Sequence, residues 1–230
     1  MKKGLVEFNW NEIDKYNEED ITYFLFIEGK SIETICRIRN IDRPTVQNHI
    51  IQGKIKYRFL TKSKNTEDLF REITKAGKRD KIEVLNSLDE ENKRKVLEFI
   101  KNSYTDMYSR DKEVAVWIIG ELKDFNSLDI LTKASVHKFV NIRRMAVSAM
   151  GKVESQKCEI ALIRALEDSN PQVVTYAIKA LQKLNSKRAV EKIRYLKNTS
   201  DKEYIKKSAE IYLDSIEKDR DNHNVEQGLI

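Results

Sequence analysis

A step of 31 residues constrains the fold of this chain more than any other feature. Ala115, Ala146 and Ala177 lie 31 residues apart, and Ala209 follows 32 later. The same register relates Ile119, Met150, Leu181 and Leu213, and again Leu122, Val153, Leu184 and Ile216. A second set of columns trails the first: Ser127, Cys158 and Ala189; Leu131, Leu162 and Ile193; Ala134, Ala165 and Leu196. Within each unit the apolar positions recur at helical spacing, so a unit reads as two amphipathic helices with a short connection. One such pair cannot cover its own apolar face, and the units must stack into an α-α solenoid. Stepping back once gives Val84, Leu88, Val96 and Ile100, a weaker opening unit. The last unit, EYIKKSAEIYLDSIEKDR, is polar enough to close the stack, which places the array at 80–218 and a flexible tail at 219–230.

The N-terminal part, 1–60, carries a different pattern. Ile21, Phe24 and Leu25 follow the acidic cluster Glu18–Asp20 at helical spacing, and Gly29 ends that helix. Ser31 is a helix N-cap, and Ile32, Ile35 and Cys36 share one apolar face. Asn40 tolerates the left-handed conformation of a tight turn, Ile41 is the buried turn residue, and Asp42 is the next N-cap. Pro44 sits in a first turn, where its missing N–H costs nothing. Val46 and Ile50 then face inward and leave Arg43, Thr45, Gln47 and Asn48 toward solvent. Two short helices joined by a tight turn make a helix-turn-helix.

From Arg43 to Thr66 there are six cations (Arg43, Lys54, Lys56, Arg58, Lys62 and Lys64) and no Asp or Glu. Lys and Arg neutralise phosphates, while Gln, Asn and Arg read base edges. This pattern nominates Arg43, Thr45, Gln47, Asn48 and His49, with Lys54, Lys56 and Arg58, as nucleic-acid contacts; the plainer alternative is a solvated basic face. The alternation in KIKYRFL (54–60) suits either a wing strand or an extended connector. Residues 61–79 read as a linker, starting from TKSKNTED.

The segment GKSIETICRIRNIDRPTVQNHI resembles the helix-turn-helix at the C-terminal end of RecQ-type helicases and related bacterial proteins. Gly29, Ser31, Ile32, Ile35, Arg39, Thr45, Val46, Asn48, His49 and Ile50 carry the match, and Cys36 stands where a small Ala is usual. That likeness implies DNA binding rather than a motor, since no G-x-x-x-x-G-K-[ST] loop is present. The repeat region resembles HEAT repeats of the short type found in phycobilisome-lyase-like proteins.

On the second helices of the array, Lys133 and Arg164 are equivalent, as are Lys157 and Arg188. That row suits a phosphate backbone, or is the ordinary solvated face of a chain that is 35% charged. Trp117 is either an exposed contact residue or packs against the segment joining the two domains. The histidines and the two cysteines lie apart, so neither a metal site nor a disulfide framework is expected, and no cofactor is implied. The net charge of +6 is only mildly basic. The N-terminus lacks a signal-peptide core and no apolar run reaches membrane-spanning length, which favours the cytoplasm.

The expected architecture is therefore all-α, a helix-turn-helix with or without a wing followed by a HEAT solenoid. The expected role is non-enzymatic binding of double-stranded DNA, with the array adding backbone contacts or holding a protein partner. The alternatives are a protein–protein scaffold, or an alkylpurine DNA glycosylase of the HEAT-like kind. The glycosylase would need an Asp–Trp constellation that is not recognisable here.

Overall fold

A computed structural model describes the backbone of residues 2–227 and the side chains of residues 3–218. The side chain of His223, together with residues 1 and 228–230, lies outside these. The chain divides into two compact units at Phe99/Ile100. Apart from a two-stranded antiparallel hairpin, β1 (Lys2–Lys3) with β2 (Val6–Glu7), the architecture is helical throughout, which bears out the all-α expectation. Among the described residues no helix is long and apolar enough to cross a membrane.

In the first unit, α1 (Glu18–Ile27), α2 (Ile32–Arg39) and α3 (Arg43–Lys56) form the helix-turn-helix. Each start is set by a side chain that accepts a free backbone N–H. The Asp20 N–H donates to Asn17 at 2.8 Å, the Thr34 N–H to Ser31 at 3.2 Å, and the Thr45 N–H to Asp42 at 2.7 Å. Asn40 takes the left-handed conformation with φ of 51° and closes α2. Gly29 does the same after α1 with φ of 90°. Leu25, Ile35, Val46 and Ile50 form the buried centre, and Ile32, Cys36 and Ile41 pack against it half-buried.

The wing is overturned. Residues 54–60 are helical, α3 running to Lys56 and α4 (Arg58–Lys62) following directly. Gly53 lies inside α3 against α1: a Cβ there would stand 2.2 Å from the ring of Tyr23. Tyr23 then stacks on Tyr57 at 5.5 Å, and burial pushes the Tyr57 hydroxyl strongly upward. The segment expected as a linker, 61–79, likewise contains α5 (Thr66–Lys75), whose Leu69, Phe70 and Ile73 are buried. Two further helices follow, α6 (Lys78–Ser87) and α7 (Glu90–Ser103); Val84, Leu88, Val96 and Ile100 are all buried.

The second unit repeats a helix pair. First helices α8 (Ser109–Glu121), α10 (Val140–Val153), α12 (Pro171–Lys183) and α14 (Glu203–Gln227) alternate with second helices α9 (Leu128–Ala134), α11 (Glu159–Ala165) and α13 (Val190–Thr199). The helix of α14 extends into the segment expected as a tail. Ala115, Ala146, Ala177 and Ala209 are fully buried, as are Ile119, Met150 and Leu181, and Leu131, Leu162 and Ile193. Three first helices end alike, on Lys123, Glu154 and Asn185 with φ of 50°, 55° and 49°. These sit one 31-residue step apart and are not glycines, so the stacked repeats hold each of them in a conformation costing about 1 kcal/mol. Small residues set the helix spacing: a Cβ on Gly120 would meet that of Ala149 at 2.7 Å, and one on Gly151 that of Ala180 at 2.9 Å.

Candidate nucleic-acid interface

Val46, Ile50 and Gly53 occupy the inward side of α3 at positions i, i+4 and i+7, which decides what points out. The exposed side carries Arg43, Gln47, Asn48, Ile51, Gln52, Lys54 and Ile55, with no carboxylate on the helix. At 14 residues α3 is about 21 Å long, sufficient to lie along a major groove.

The expected contact residues separate here into two groups. Arg43, Gln47, Asn48 and Lys54 come together on the exposed face. Arg43 meets Glu33 at 2.6 Å, with side chains 58% and 60% exposed. A pair so wet is held only weakly, so a phosphate can replace Glu33. The Glu33 carboxyl is held below its ordinary pKa, first by its own backbone N–H and then by Arg43. Lys54 lies over the Phe26 ring at 5.1 Å and has no carboxylate partner among the described residues.

The others are committed elsewhere. Thr45 is half-buried, and its N–H is taken by Asp42, whose carboxyl is pulled down by that bond. His49 turns inward and shares a 3.1 Å hydrogen bond through Nδ1 with the buried Thr22, so it belongs to the core edge rather than to a groove-facing row. Lys56 grips both oxygens of Asp20 at 2.8 and 2.7 Å, and Asp20 is 7% exposed. That bond ties the end of α3 to the start of α1. Arg58 stands on α4, 3.2 Å from Asp80 and over the Phe59 ring. Ile51 and Ile55, which are not among the expected contacts, are 54% and 61% exposed. With Ile50 committed inward, the helix period alone puts both on the outer face.

In the array, Lys133 and Lys157 are exposed without a charge partner among the described residues. Arg164 donates to the Ser135 hydroxyl at 3.4 Å, and Arg188 pairs with Glu159 at 3.3 Å. Lys192 pairs with Glu167 and Arg194 with Glu191, so carboxylates interleave this row. Arg143 is structural: it clamps Asp168 through two bonds of 2.6 and 2.8 Å and donates to the carbonyls of His137 and Lys138. Trp117 is half-buried. Among the described residues no group of three His, Cys, Asp or Glu is placed to hold a metal ion.

Comparison with known proteins follows the same division. Residues 18–112 match the family described as a helix-turn-helix domain, and residues 128–214 match the family of HEAT repeats. The chain is a helix-turn-helix domain followed by HEAT repeats. The first match is to helix-turn-helix domains in general and gives the RecQ-type likeness no support of its own. It reaches past α4 and through α7, beyond the expected boundary at 60. An engineered protein of known crystal structure aligns over 88% of this chain and 98% of its own, with a TM-score of 0.50 at 15% identity. That likeness shows the fold alone. No curated protein matches the chain.

Proposed function

We propose that this is a non-enzymatic protein that binds double-stranded DNA through α3, while its HEAT array adds backbone contacts or holds a partner protein. The supporting observation is the outer face of α3. Arg43, Gln47, Asn48 and Lys54 share it, no carboxylate interrupts it, and three N-caps and a left-handed Asn40 fix its presentation. Arg43 and Lys54 meet phosphates, Gln47 and Asn48 are suited to adenine edges, and Ile51 to a thymine methyl.

The test is titration of a labelled duplex against the full chain at several salt concentrations. Binding should weaken steeply with salt, and Arg43→Ala/Gln47→Ala/Lys54→Ala should lower affinity at least about tenfold and reduce the salt slope by about 2. Unchanged duplex affinity in that variant would sink the reading. A second reading, a scaffold that docks protein on α3, is favoured by the exposed Ile51 and Ile55. It requires that the chain show no duplex affinity even at low salt.

A further inference from the structure

A second cationic surface lies on the first helices of the array, and its grooves, unlike the row on the other side of each repeat, bring exposed aromatic rings beside the cations. Two adjoining grooves run there across α10, α12 and the start of α14. One, of about 400 Å³, is lined by Arg144, Gln172, Thr175, Tyr176, Lys179 and Tyr204. The other, of about 200 Å³, is walled by Ser148, Lys152, Tyr176, Lys179 and Lys183 above a floor of small residues that includes Gly151 and Ala180. Tyr176 and Lys179 belong to both, so the grooves are continuous. Among the described residues no carboxylate lines either.

The close approach of Gly151 to Ala180 makes the floor shallow and lets the longer side chains of neighbouring helices stand along its edges. Adjacent packed helices lie about 8–10 Å apart, so the cations of α10 and α12 form steps along one track. Lys179 is exposed and has no partner among the described residues. Lys183 meets Glu154 at 3.1 Å with both side chains about half exposed, and Lys152 meets Glu121, also near the surface. Such pairs yield readily to a stronger anion. Tyr176 and Tyr204 are 42% and 47% exposed, although each has an apolar ring that burial would favour.

Phosphates alone explain the lysines but leave the two rings without a use. An acidic peptide has the same shortcoming. A single-stranded nucleic acid uses both groups, since its unpaired bases stack on aromatic faces while its backbone follows the cations. We propose that the α10–α12–α14 groove binds a single-stranded segment of nucleic acid, with Tyr176 and Tyr204 as stacking platforms and Arg144, Lys179 and Lys183 on phosphates. This site is separate from α3 and does not depend on the duplex reading.

The test uses the full chain, a labelled thymidine 20-mer and a labelled duplex. Tyr176→Ala/Lys179→Ala should weaken the 20-mer at least about tenfold and leave the duplex unaffected. Both positions are exposed, so the fold should tolerate the change. Arg43→Ala/Gln47→Ala/Lys54→Ala should do the reverse, and a parent chain that binds the 20-mer but no duplex would remove the α3 reading only. Lys133→Ala/Lys157→Ala, on α9 and in the turn just before α11, should leave the 20-mer bound. The proposal is overturned if the groove variant binds the 20-mer as the parent does, if the Lys133→Ala/Lys157→Ala variant loses it, or if a polyglutamate peptide displaces it as effectively as unlabelled 20-mer.

Discussion

The helix-turn-helix unit and the repeat unit are both rich in cations, but they place them by different rules. In the first unit the paired cations tie one helix to another at single points, Lys56 to Asp20 and Arg39 to Glu18. In the second unit the ties recur across neighbouring repeats, as Lys152 to Glu121, Lys183 to Glu154 and Arg188 to Glu159. A repeat therefore indicates which of its lysines stay free. Lys179 faces Ser148 across the 31-residue step, and it has no partner. In the first unit no such rule exists, and Lys54 and Lys56 differ in fate because α1 offers the Phe26 ring to one and the Asp20 carboxylate to the other.

The largest expected effect probes how closely helices approach in each unit. In an open helix Gly→Ala stabilises by about 1 kcal/mol. Gly53→Ala should instead cost about 3 kcal/mol, because its Cβ meets the Tyr23 ring at 2.2 Å and the stack on Tyr57 holds that ring in place. Gly151→Ala, 2.9 Å from Ala180, should cost about 1 kcal/mol. Urea unfolding can separate them, since Trp10 reports the first unit and Trp117 the second in single-tryptophan variants. Equal costs would mean that the two packings are equally tight.

Arg143→Gln should cost about 2 kcal/mol, because Asp168 would keep its carboxylate nearly buried without its guanidinium. The hydrogen bond from Arg143 lowers the Asp168 pKa in the folded state. Its contribution is then present above the unfolded value of about 3.9 and is lost as pH falls through the lower folded value. The stability gap between parent and variant should accordingly narrow below about pH 4. A gap that stays constant on acidification would show that the clamp is not electrostatic.

These contacts also show what the sequence could reveal. The repeat core was legible because every column had several instances: a single buried Ala says little, and four in register say that helices stack. The caps were legible because Ser31, Asn40 and Asp42 act on their own backbone within three residues. The role of Gly53 was not legible, because nothing local distinguishes a glycine that ends a helix from one that admits a neighbouring ring. The left-handed ends at Lys123, Glu154 and Asn185 carry no common residue type, so only their spacing could have betrayed them. Among the interface residues, Gln47, Asn48 and Lys54 follow from helix period, whereas the inward turn of His49 depends on Thr22, far away in sequence.

Lys56→Ala sharpens the contrast between tethered and free cations. It should cost about 1.5 kcal/mol, reduced from a fully buried pair because the Lys56 side chain is 40% exposed. At matched folded fraction its duplex affinity should fall less than that of Lys54→Ala, which removes a cation held by no carboxylate. The opposite order would make Lys56 a phosphate ligand.

The smallest effect is expected from Lys133→Ala/Lys157→Ala. Neither side chain has a charge partner among the described residues and both are exposed, so stability should stay within about 0.5 kcal/mol of the parent. The pair also isolates charge from architecture, because it removes one cation from α9 and one from the turn before α11 while leaving Arg188–Glu159 and Lys192–Glu167 intact. If free charge alone decided where the array meets nucleic acid, this variant would weaken binding as much as loss of Lys179. If it takes aromatic rings beside the charge, as on the first helices, the variant should bind almost as the parent does, in a titration that would resolve a threefold change in affinity, about 0.7 kcal/mol.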